Sequence, residues 1–126
     1  YSNEKIDIHH IFPKDYCVGA QYDKSKWNSI VNKTPISARS NREIGGSSPH
    51  SYLGKLEKKG SVTTADLDDY IETHWIDHEL LRNNDFQKFI IDRAKKLLIA
   101  IERVTGRTIS GKDSDEVKQM FGDSLT

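Results

Sequence analysis

Ile8-His9-His10-Ile11-Phe12-Pro13, followed by Asn32-Lys33-Thr34-Pro35-Ile36 and then Asn41-Arg42, is the text that decides the fold of this 126-residue chain. Residues 4–11 read as a strand, with Ile6, Ile8 and Ile11 apolar and β-prone. Adjacent strand residues point to opposite faces, so His9 and His10 cannot both line one site on a regular strand. Pro13 cannot donate to a ladder and marks a break just beyond the pair. The histidines are therefore expected at a strand end, where the backbone turns and both rings can flank one group. Residues 33–37 read as the return strand, and a short helix from about Ala38 carries Asn41 and is ended by Gly45-Gly46.

Between the strands, residues 14–31 read as a polar excursion containing Asp23-Lys24-Ser25-Lys26 and Trp27. Trp27 is expected as a packing anchor, with a base-stacking platform as the alternative. Taken singly, the remaining pieces are ordinary. A His-His pair is most often a strand end, Asn32 a turn residue and Asn41 a helix cap. Their joint occurrence, in strand-loop-strand-helix order with the asparagines nine residues apart, is the distinctive signal.

The rest of the chain reads as helical. Ser48-Pro49 predicts an N-cap with proline at the first helical position and a helix to about Lys58, with His50 on its first turn as a surface residue. Thr63-Thr64-Ala65-Asp66 predicts a second helix reaching about Trp75. Asp85 is expected to cap the longest helix, Phe86 to Thr105. Phe86, Phe89, Ile90, Ala94, Leu97, Leu98, Ile101 and Val104 form its core stripe and Gly106 stops it. Ser114 is expected to cap a short last helix through Phe121, with a tail that frays beyond Gly122. His74 and His78, four apart, would share a face on a continuous helix and could bind zinc. Asp77 looks like a new cap that interrupts such a helix, so interhelical packing is the preferred reading. Cys17, the single cysteine, cannot form an internal disulfide and reads as a small hydrophobe.

The fold class expected is α+β: a small ββα-metal hairpin-plus-helix motif in residues 1–62, packed on a predominantly α-helical extension in residues 63–126, together one structural domain. The opening on Tyr1 rather than Met fits a C-terminal fragment of a larger protein. An apolar content of 35% makes the core modest, and no apolar run approaches the length needed to span a membrane. Cytoplasmic location is the expectation, weakly supported by cysteine usage.

Residues 6–53 resemble the HNH (ββα-metal) endonuclease domain found at the C-terminus of modification-dependent type IV restriction nucleases and related phage-defence proteins. The matching text is Ile-Asp-Ile-His-His-Ile-Phe-Pro-Lys at 6–14, Asn-Ser-Ile-Val-Asn-Lys-Thr-Pro-Ile at 28–36, and Ser-Asn-Arg-Glu-Ile-Gly-Gly at 40–46, with Pro49 and Tyr52-Leu53 after it. The first position of the histidine pair is often Asp in that family; here it is His9, as in double-histidine HNH nucleases. The resemblance implies that His9 and Asn41 bind a metal, His10 is the general base, and Asn32 braces the hairpin loop. It further implies DNA as substrate and an N-terminal nucleotide-hydrolysing domain as partner, with homo-oligomerisation open.

Phosphodiester hydrolysis explains why such residue types are needed. It requires an activated water and a cation that offsets the charge building on the phosphate and the departing oxygen. Neutral imidazole is a common proton acceptor near neutral pH. His9 and Asn41 are neutral ligands, so one divalent ion would keep nearly its full charge for the phosphate. Magnesium is the expected ion, with manganese, nickel and zinc open.

Net charge is zero, which excludes a strongly basic DNA-binding module, yet the distribution is uneven. Residues 1–62 carry ten Lys and Arg against six Asp and Glu, and residues 63–126 carry nine against thirteen. The basic half holds the motif. Lys14, Lys33, Arg39 and Arg42 are the expected nucleic-acid contacts, with Lys24 and Lys26 nearby. Arg42 is also the preferred clamp on the scissile phosphate, because its fork can hold two oxygens. The alternative for the whole chain is a non-catalytic helical interaction module, or one whose histidines hold zinc.

Overall fold

The computed structural model describes residues 6–37, 42, 44–60 and 62–126. The expected helix from Ala38, with Asn41, and the proposed contact Arg39 lie largely outside the described residues. The protein is α+β, with one two-stranded antiparallel sheet among the described residues. Strand β1, Ile6–His10, pairs with β2, Lys33–Ser37, in a register that sets His9 opposite Thr34 and His10 opposite Lys33.

The segment between the strands is more ordered than its polar composition suggests. Helix α1, Lys14–Gly19, starts directly after Pro13, and α2, Lys24–Trp27, is capped by Asp23, whose carboxylate accepts from the Ser25 amide. A single 3₁₀ turn, Ile30–Asn32, leads into β2. The expected loop is thus a pair of short helices. Their apolar residues are few but decisive: Cys17 is fully buried and Trp27 is 5% exposed. Burial pushes the Cys17 thiol up to about 12, which fits a small hydrophobe rather than a nucleophile.

Helix α3, Pro49–Lys58, begins as expected, with Ser48 Oγ accepting from the Ser51 amide and proline at the first position. Before it, Gly46 lies so close to Asp15 that a Cβ there would meet the carboxylate at 2.9 Å, so the turn packs directly on α1. Helix α4, Thr64–Glu72, is capped by Thr63 and stops three residues short of Trp75. Trp75 sits at φ 59°, a left-handed conformation costly for a large side chain, and it turns the chain. Asp77 then caps a new short helix, α5, His78–Arg82.

Helix α6, Phe86–Thr105, has the expected bounds, with Asp85 at its N-cap and Gly106 at φ 68° ending it. Its first three turns supply the core. Phe12, with no exposed surface, packs against Phe89 at 4.9 Å and edge-on to Phe86 at 5.2 Å between ring centroids. Tyr22 stacks on Phe86 at 4.4 Å. Each such ring removes enough apolar surface from water to contribute roughly 1.5–3 kcal/mol. The motif half and the helical half therefore share one core, and Phe12, two residues after His10, is at its centre.

The expected α6 stripe holds as far as Leu98, which packs against the core, but its last two members are not core. Ile101 is 50% and Val104 88% exposed, and Ile101 with Ile8 and Ile30 borders an apolar groove along the outer face of the hairpin. The sheet has only two short strands, so the helix outruns what could cover it. Helix α7, Asp115–Phe121, is capped by Ser114 as expected. The tail beyond Gly122 does not fray: Leu125 is buried and its amide donates to the Lys112 carbonyl at 2.7 Å.

Candidate active site

The site begins where β1 ends. Asp7 and His9 share the strand face that Thr34 and Ile36 occupy on β2, and this face closes a cavity of about 410 Å³ against α3, α4 and His74. His10 is the last strand residue and also borders this cavity. The two rings are 6.5 Å apart at 67°. Both histidines thus border one cavity at the end of the strand.

Their surroundings differ. His9 is half-buried, and its Nε2 is enclosed with no hydrogen-bond partner among the described residues. Burial first, and then neighbouring His10, holds its pKa below the ordinary imidazole value, with Asp7 pulling the other way. A neutral ring with an enclosed, unused nitrogen is what a metal ligand requires before the ion arrives. His10 is set instead against the hairpin loop. Its Nε2 lies 3.1 Å from Asn28 Oδ1, and its ring meets buried Trp27 edge-on at 5.6 Å.

Asn32 ties this end of the hairpin together. It is fully buried; its Oδ1 accepts from the Phe12 amide at 2.8 Å, while its Nδ2 donates to the carbonyls of Phe12 and Trp27, each at 2.9 Å. Its own carbonyl accepts from Ile11 at 2.7 Å. One side chain therefore uses both its donor and acceptor capacity to join the segment after His10 to the segment that carries Trp27. Tyr52, from α3, adds a bond from its hydroxyl to the Ile11 carbonyl at 2.7 Å.

Of the expected contacts, Lys33 is half-buried opposite His10 at the same end of the hairpin, while Lys14 is exposed at the start of α1. Arg42 is helical and exposed. Lys26 reaches Gln87 Oε1 at 3.3 Å. Arg39 and Asn41 lie outside the described residues. His50 is an exposed helix residue, as expected, with its Nδ1 3.0 Å from the Arg82 carbonyl.

His74 and His78 do not share a helical face. His74 Nδ1 lies 3.1 Å from Thr34 Oγ1, bordering the same cavity as His9, and burial followed by Arg93 lowers its pKa. His78 turns to Glu72, 2.9 Å away, and Asp68, and the Glu72 hydrogen bond chiefly raises its pKa. Glu72, Asp77 and His78 lie close enough to hold an ion, but the ion pair and the α5 cap already account for their positions.

Three features of the site escaped sequence reasoning. Arg93 interrupts the apolar stripe of α6 yet is 4% exposed, and burial pulls its pKa down to about 10, so it stays charged at neutral pH. It donates to the carbonyls of Val31 at 2.8 Å, Lys33 at 2.9 Å and His74 at 3.2 Å, fixing the start of β2 to the helical half. A cation inside an apolar stripe was a visible signal. The Thr34–His74 contact and the His10–Asn28 contact had none, because each joins residues far apart in sequence.

No protein-family model matches the chain, and no solved structure matches it. It is similar to an uncharacterized protein of Methanocaldococcus jannaschii, 29% identical over 115 residues that cover 75% of this chain. The chain spans only about a fifth of that relative's length (20%).

Proposed function

We propose that the chain is a metal-dependent endonuclease domain of the HNH (ββα-metal) type that hydrolyses DNA phosphodiester bonds, serving in restriction or phage defence. The observation that carries the reading is the pairing of two unlike histidines at one strand end: His9 with an enclosed, unpartnered nitrogen and His10 with a ring held by its neighbours. The sequence pattern around them supports it.

In this reading His10 takes a proton from water, whose oxygen bonds to phosphorus as the bond to one sugar oxygen breaks. The departing oxygen takes its proton from solvent. His9 would hold a divalent ion together with Asn41, assigned from sequence alone. When bound, that ion supplies the positive charge that phosphate and leaving group need. Lys33, which borders the groove on the outer face of the hairpin rather than the His9–His10 cavity, and exposed Arg42 would contact the DNA backbone in this reading. Asn32 supports the geometry from behind, through the backbone.

A partner domain that hydrolyses nucleotide, and that selects the DNA, belongs to the same proposal. Zero net charge supports it, since the isolated chain has little non-specific affinity to rely on. The test is conversion of supercoiled plasmid to nicked or linear forms with magnesium or manganese, against EDTA.

A further inference from the structure

We propose that Asn28 is the positioning residue for His10: its amide oxygen holds Nε2–H, so the ring presents the lone pair of Nδ1 to the water. The inference rests on the nuclease reading and adds a residue to it. An amide oxygen only accepts, so a hydrogen bond at 3.1 Å requires hydrogen on Nε2 and, in the neutral ring, leaves Nδ1 as the acceptor.

Asn28 is exposed, and an exposed asparagine is normally free to rotate; here its backbone is fixed from several sides. It is the C-cap of α2, with its amide donating to the Lys24 carbonyl at 2.9 Å. The preceding residue, Trp27, is buried, packs edge-on against His10, and has its carbonyl held by Asn32. Asn32 also holds Phe12, two residues beyond His10. One buried amide therefore locates both the ring and the group that orients it, and Asn28 converts that backbone rigidity into a direction for the imidazole. Trp27 prevents the ring from swinging toward the loop. His10 also borders the cavity that His9 lines.

The test compares wild type with Asn28→Ala and Asn28→Asp, the second keeping an acceptor oxygen. Nitrogen-resolved NMR of the metal-free protein at about pH 8, where imidazoles are neutral, reads the His10 ring directly. Wild type is expected to carry its proton on Nε2 and to show ring-to-Trp27 proton contacts. Asn28→Ala should lose those contacts, and Asn28→Asp should keep them. In plasmid cleavage with manganese, kcat of Asn28→Ala should fall roughly tenfold with KM unchanged, and Asn28→Asp should recover most of it. A wild-type ring protonated on Nδ1, or an Asn28→Ala variant with wild-type ring contacts and kcat, overturns the proposal. Full cleavage by His10→Ala would instead overturn the nuclease reading. The two failures are distinguishable because the NMR readout needs no cleavage.

Discussion

Removing the Asn32 side chain should damage the fold as much as the site. Asn32→Ala deletes three hydrogen bonds in a position with no exposed surface, leaving the Phe12 amide and the carbonyls of Phe12 and Trp27 without their partner. Cys17 Sγ also donates to the Phe12 carbonyl at 3.4 Å, a weak bond that recovers little. Each buried polar group left unsatisfied costs about 1–3 kcal/mol, so the expected loss is about 3–5 kcal/mol. A domain of this size has about 5–15 kcal/mol in total, and the loss corresponds to a fall in Tm of roughly 10–20 °C. Asn32→Asp should be at least as harmful, because it keeps the acceptor for the Phe12 amide but sets a carboxylate against two carbonyl oxygens. Urea unfolding followed by far-UV circular dichroism, with buried Trp27 contributing to fluorescence, gives the difference at constant m-value. A loss under about 1 kcal/mol in Asn32→Ala would show that the loop does not depend on these bonds, and would refute the reasoning.

Arg93→Met should keep most of the packing of α6 but strand three carbonyls, costing about 2–4 kcal/mol in the same urea assay; an unchanged midpoint would contradict the clamp. His78 gives a pH dependence of known sign: its pKa is raised in the folded state by Glu72, so its stabilisation is fully present below the unfolded value near 6.5 and is lost as pH rises through the raised value. Glu72→Gln should therefore lower stability at pH 5.5 more than at pH 8.5, about one unit below and two units above the ordinary histidine value, and equal losses would refute it. His9→Ala should weaken manganese binding in calorimetry at least about tenfold without unfolding the chain, because its Nε2 makes no structural bond among the described residues; unchanged affinity would remove His9 from the metal site.

What the sequence made legible was local. Strand pairing followed from β-prone residues, and the caps at Ser48, Thr63, Asp77, Asp85 and Ser114 followed from side chains that bond two or three residues ahead. Helices α1 and α2 were hidden because four- and six-residue helices carry no periodic pattern, and Cys17 and Trp27 hold them in place through contacts with the distant core. Ile101 and Val104 fit the stripe but lie beyond the surface the rest of the domain can cover. Leu125 looked like part of a loose tail, yet its burial depends on a backbone bond to Lys112. In the site, the His9-His10 pair and Asn32 were legible as residue types at meaningful spacing. The contacts that Asn28, Arg93 and His74 make were not, although Arg93 stood out as a cation in an apolar stripe, since those contacts arise only when segments separated by 18, 62 and 40 residues meet.

The central claim, that His10 activates water for phosphodiester cleavage, is tested most directly by the rate of supercoiled-plasmid nicking for wild type and His10→Ala under one divalent ion, with EDTA as control. Circular dichroism and manganese calorimetry on both proteins would establish equal folding and equal metal affinity. Metal-dependent nicking by wild type, falling about 10²–10⁴-fold in His10→Ala, is the predicted result. Nicking that survives the substitution, or a folded, metal-binding wild type that leaves the plasmid as intact as it is in EDTA, would contradict it.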